Sequence, residues 1–119
     1  MENENSSERR KYPRIPLDLE VDVNLIPSDN AQPVGDIVCC KCRDISGGGI
    51  SFYSMDPYPL QSVLRLDIAL DELNIKVMGK VLWAKKFPTA PFCLTGVQFL
   101  NIYEQDFKEL CSYIDTKCL

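Results

Sequence analysis

From Leu17 to Leu25 apolar and polar residues alternate without a break, with Leu17, Leu19, Val21, Val23 and Leu25 on one side and Asp18, Glu20, Asp22 and Asn24 on the other. A period of two is that of a strand with one face in a core. Pro27, Ser28, Asp29, Asn30 and Pro33 then mark a loop, and a second extended stretch runs from Val34 to Ile45. Gly47, Gly48 and Gly49 interrupt it, and Ile50 to Tyr53 resumes as a short strand, which predicts a hairpin. After Pro57 and Pro59, Leu64, Leu66, Ile68 and Leu70 alternate with Arg65, Asp67 and Ala69. A turn over Asp71 to Asn74 leads into Ile75, Val77, Gly79, Val81 and Trp83, again two apart, and a final strand spans Phe92 to Leu100. Six strands joined mostly by short turns predict an antiparallel barrel, which closes its own edges. The period then changes: Tyr103, Phe107, Leu110, Cys111 and Ile114 follow helical spacing, and Asn101 stands three residues before Glu104 as a capping box would require. The fold class is therefore all-β with a C-terminal helix.

A chain of 119 residues has room for one core, so one domain should account for it. Residues 1 to 8 carry no apolar side chain after Met1, and no burial offsets the entropy of ordering them; they are expected to form a flexible leader, with the domain over 9–116 and a short tail over 117–119. No stretch approaches the roughly 18 apolar residues of a membrane span, and no secretory segment opens the chain, so membrane insertion is not expected and a cytoplasmic location is. Six cysteines would suggest a disulfide scaffold only in a secreted context. Cys39 and Cys42 have a zinc-ligand spacing, but the chain has no histidine and no second pair, and small buried hydrophobes are the plainer reading. Without histidine, and without a recognisable nucleophile or carboxylate pair, enzymatic chemistry is poorly supported. A formal net charge of −4 argues against gripping long nucleic acid. Against that acidic background, four of the thirteen basic residues, Arg9, Arg10, Lys11 and Arg14, fall together.

Two short segments carry candidate chemistry: Arg10-Lys11-Tyr12-Pro13-Arg14 before the first strand, and Asp44-Ile45-Ser46-Gly47-Gly48-Gly49 at the hairpin. Each alone has a bland explanation, a solvated charge run for the first and a turn needing φ > 0 for the second. Together, in this order and at these places, they resemble the signature of the PilZ family, RxxxR followed some thirty residues later by D/N-x-S-x-x-G. Gly79-Lys80-Val81-Leu82-Trp83, Gly96-Val97-Gln98-Phe99 and the closing helix are similar to later parts of that family, so the resemblance covers the chain from about Arg9 to Ile114. It implies a six-stranded antiparallel PilZ-type β-barrel that binds cyclic di-GMP, with no cofactor and no metal, and that signals to a protein effector the sequence does not identify.

The residues suit that ligand, which presents two guanines and two phosphodiesters. Arginine donates two parallel hydrogen bonds to guanine O6 and N7, stacks on purines or pairs with phosphate, and Arg10 and Arg14 stand up to about 13 Å apart if extended. Asp44 accepts only, matching the N1–H and N2–H donors of guanine, and the Ser46 hydroxyl can serve a phosphate or a base. Gly47 to Gly49 would let the backbone pass close beneath the ligand and expose N–H groups toward an anion, with Gly48 and Gly49 counted among the ligand-binding residues. In the family, a basic residue at the position of Arg9 accompanies a second, stacked ligand; the alternative is a solvated charge. Trp83 either stacks on a guanine or belongs to the core. The rival to a nucleotide receptor is a ligand-independent adaptor of the pilus or flagellar type, in which such arginine and Asp/Ser motifs are typically missing.

Overall fold

The computed structural model describes residues 15–16, 19–27 and 34–118. Its elements in chain order are β1 (Ile15–Pro16), β2 (Glu20–Ile26), β3 (Val34–Ser46), β4 (Gly49–Ser54), β5 (Val63–Leu70), β6 (Leu73–Lys86), β7 (Cys93–Phe99) and a helix α1 (Glu104–Cys118). All strand pairs are antiparallel, in the order β1-β3-β2-β5-β6-β7-β4, and a further β3–β4 pairing joins the two sides. Six strands, β2 to β7, thus form a closed barrel. The two-residue β1 extends the edge of β3 that β2 also uses, since Pro16 pairs with Asp44 and Glu20 with Lys41.

Alternation in the sequence is alternation between interior and solvent. Val21, Val23, Leu64, Leu66, Ile68 and Ile75 are fully buried, and each such side chain contributes about 1.5–3 kcal/mol. Leu25 departs from the expected pattern: the β2–β3 register shifts between Val23 and Leu25, so Ile26 is buried and Leu25 only packs against the core from its edge. Gly79 faces inward because its missing side chain makes room; a Cβ there would lie 2.2 Å from Val97 Cγ1. The turn between β5 and β6 is tighter than the sequence implies, with Leu70 already paired to Leu73 and Asp71 at φ 51°.

Helix α1 covers the barrel with Leu110 and Ile114, while Ile102 and Tyr113 pack beside them. Glu104 and Asp106 in its first turn and Lys117 in its last complement the helix dipole. Lys117 Nζ also lies 3.8 Å from Asp71 Oδ2, tying the helix end to the β5–β6 turn. The helix begins later than the Asn101 cap predicts. Leu100 N–H still donates to Met78 C=O, which keeps the chain on β6, and the first helical bond runs from Phe107 N–H to Tyr103 C=O. No helix among the described residues is long and apolar enough to cross a membrane.

Candidate functional site

Two β-bulges shape the outer face of the barrel where β3, β4, β7 and β6 run side by side. On β3, Cys40 and Cys42 point into the core, and strict alternation would send Asp44 inward after them. The register against β4 instead steps from Cys42↔Phe52 to Asp44↔Ser51, leaving Arg43 as the extra residue. Ile45 takes the interior position, fully buried, and Asp44 turns outward. On β6 the same device operates at Leu82: Val81 pairs with Val97 and Trp83 with Gly96, so Trp83 leaves the series of Ile75, Val77, Gly79 and Val81.

Two cross-strand rows result. The inner one, Ile45–Ile50–Val97–Val81, is buried throughout. The outer one, Asp44–Ser51–Gly96–Trp83, crosses four strands, and at about 4.8 Å per strand it is roughly 14 Å long. Pro16 of β1 is the register partner of Asp44 at its end.

Within the outer row Asp44 accepts a hydrogen bond at Oδ1 from Ser51 Oγ at 2.7 Å, and Arg43 Nη1 lies 3.6 Å from Oδ2. The Asp44 side chain is 18% exposed, sheltered yet reachable. Gly96 carries no side chain because the indole of Trp83 covers it: a Cβ there would stand 2.1 Å from Trp83 Cε2. Trp83 itself is 37% exposed, so one face of the indole rests on backbone while the residue remains open to solvent.

Ser46 is buried and its Oγ accepts the Gly48 N–H at 3.1 Å. In this structure the Gly48 N–H is thus engaged within the hairpin. Gly48 C=O in turn accepts from Phe99 N–H at 2.9 Å, and a Cβ on Gly49 would meet the Val97 carbonyl oxygen at 2.3 Å. Gly49 thus serves close packing of the hairpin on β7, and positive φ, which among the described glycines only Gly35 shows at 78°, is not what the turn requires.

Of the residues singled out from the sequence, the structure places Asp44 and Ser46 on β3, Gly48 and Gly49 at its hairpin with β4, and Trp83 on β6, beyond β7. Arg9, Arg10 and Arg14, with the leader over residues 1–8, lie outside the described residues. Ser51 and Arg43 were not anticipated. Counting back from the hairpin turn pairs Ser51 with Asp44, but Arg43 reaches the carboxylate only through the bulge. Cys39 and Cys42 leave opposite faces of β3, the first exposed and the second buried, and burial, aided by Cys39 and Asp22, pushes the Cys40 thiol up to about 11.

The architecture has counterparts among solved structures. The Bacillus subtilis inhibitor of motility MotI/DgrA is similar with a TM-score of 0.78 and 23% identity, over 92% of this chain and 51% of that one. The Klebsiella pneumoniae MrkH–c-di-GMP complex follows at TM-score 0.73 and 16% identity, covering 92% and 52%. The PilZ domain of Escherichia coli YcgR with c-di-GMP matches at TM-score 0.67 and 14% identity, covering 92% and 90%. The chain thus spans about half the length of the first two and nearly all of the third. No functionally curated protein matches the sequence. The sequence profile of the PilZ domain, however, matches residues 8–115, which include both motif segments, every strand of the barrel and most of α1, and on that match the chain belongs to the PilZ domain family.

Proposed function

We propose that this domain is a receptor for cyclic di-GMP that has no catalytic activity of its own and passes the signal to a protein effector. The observation that carries the reading is the outward turn of Asp44, which sets an acceptor-only carboxylate beside β1, where the chain arrives directly from the arginine motif. Arg14 is bonded to Ile15, the partner of Ile45, next to Asp44. A guanine whose N1–H and N2–H donate to Asp44 would leave O6 and N7 on another edge for an arginine fork, and the exposed indole of Trp83 offers a stacking surface along the same row. Arg10 and Arg14 would complete the site by closing over the ligand, Ser46 would contribute its hydroxyl hydrogen, and Arg9 would face the phosphates of a second, stacked molecule. The relatives MrkH and YcgR, whose structures contain c-di-GMP, support the choice of ligand.

Calorimetric titration with cyclic di-GMP tests the proposal, with cyclic di-AMP as the control. The expected outcome is saturable binding of the guanine ligand, with one or two molecules per chain, and a loss of guanine preference in Asp44→Ala, because adenine lacks donors at those positions. Absence of binding by the wild-type protein would sink the proposal. A second reading, a ligand-independent adaptor, is favoured by one feature: an apolar groove of about 650 Å³ between Val38, Tyr53, Met55, Phe87 and Phe92, suited to a protein partner.

A further inference from the structure

Arg43 and Asp44 are neighbours in sequence, and in a regular strand their side chains would leave opposite faces of the sheet. They meet here because Arg43 is the extra residue of the β3 bulge, which brings its guanidinium to 3.6 Å from Asp44 Oδ2 while leaving the side chain 51% exposed. The other carboxylate oxygen receives the Ser51 hydroxyl, so Asp44 is held from two sides on the outer face.

A carboxylate is an awkward neighbour for a ligand with two phosphodiesters on a protein whose formal net charge is −4. It suits the guanine edge and repels the rest of the molecule. A guanidinium beside it removes that conflict. With five N–H donors, it can bond the carboxylate with one part of its fork and turn the remainder toward an anionic oxygen.

Resting on the cyclic di-GMP reading above, we infer that Arg43 is a further ligand-binding residue, which offsets the charge of Asp44 and presents a guanidinium to the phosphodiesters of the bound nucleotide. It stands apart from the arginine motif in sequence and enters the site from the barrel itself, so its contribution does not depend on closure of the N-terminal segment.

The test is a charge series at one position, Arg43→Lys, Arg43→Gln and Arg43→Glu, titrated with cyclic di-GMP at about 0.05 M and about 0.5 M salt, limits between which the Debye length shortens severalfold. At low salt, affinity should fall in the order of charge, with Arg43→Lys within about threefold of wild type, Arg43→Gln weaker by about tenfold and Arg43→Glu weaker still. The differences should shrink at high salt, whereas a merely structural role would be insensitive to salt. Melting temperatures of the ligand-free variants should stay close to wild type, because the side chain is exposed. If Arg43→Gln folds poorly, the Lys and Glu variants still bracket the charge effect. Affinities that are flat across the series, or that rise as the charge is removed, overturn the inference while wild-type binding stands; failure of the wild type to bind the nucleotide overturns instead the reading on which it rests.

Discussion

β5 and β6 pair over eight successive positions, from Val63↔Lys80 to Leu70↔Leu73, without a break in register. β3 against β4, and the end of β6 against β7, each carry an extra residue. The regular ladder keeps every second side chain inside, as Leu64, Leu66, Ile68 and Leu70 show. The bulged ladders exchange inside for outside at one point on each strand, and those points are followed immediately by Asp44 and Trp83. Regular pairing maximises burial and gives the barrel its stability; the bulges give up local regularity to aim two chemically useful side chains at one row on the surface. The interior does not suffer, because Ile45 and Val81 hold the adjoining inner row.

This contrast can be broken from either side. The largest effect is expected in the regular half. Leu66→Ala empties a fully buried position between β2 and β6 and should cost about 2–5 kcal/mol in urea unfolding, with ligand affinity of the folded protein unchanged. A loss below about 1 kcal/mol would show that the ladder is not where stability resides.

Deleting Leu82 tests the bulged half. Without the extra residue Trp83 follows Val81 directly, and alternation still sends it outward onto Gly96, now on a regular ladder that lacks the bend of the bulge. The expected result is a stability change of about 1–3 kcal/mol with the indole still seated on Gly96 and its emission little changed, and a strongly altered emission would mean that the bend of the bulge sets the ring's orientation. Gly96→Ala asks a smaller question. Its methyl would occupy the place of Trp83 Cε2, so the indole must lift from the sheet, with a red-shifted emission and a cost of about 1 kcal/mol. An indole that keeps its emission would contradict the close seating of the ring.

The smallest effect is expected from Ser51→Ala. It removes the 2.7 Å hydrogen bond to Asp44 and should lower stability by about 0.5–1.5 kcal/mol, read from thermal melting, while loosening the carboxylate's orientation and hence guanine preference. A variant that melts as wild type and discriminates guanine from adenine equally well would leave Ser51 no part in positioning Asp44.

How much of this was legible in the sequence follows the same division. The strands of the regular half could be read residue by residue, because a ladder without interruption repeats the alternation of the chain. The hairpin at Gly47 to Gly49 was legible as a turn, but the close approach of Gly49 to Val97 was not, because it depends on β7, which lies some fifty residues further along. Asp44 was found through its motif, although the parity of Cys40 and Cys42 would have placed it inside. Trp83 appeared to continue an inward series and does not. Arg43 carried no signal at all, since neighbouring residues on a strand are not expected to meet.

The sequence by itself determined that this is a barrel with a closing helix, because hydrophobic burial dominates folding and its periodicity is written along the chain. It also determined the residue types available for the site. Only the tertiary structure decided which of them share a surface. A bulge is a property of two strands paired with unequal numbers of residues, and neither strand alone records it; the row from Asp44 to Trp83 exists because β3 and β6 each spend one residue more than their partners in crossing the same barrel wall.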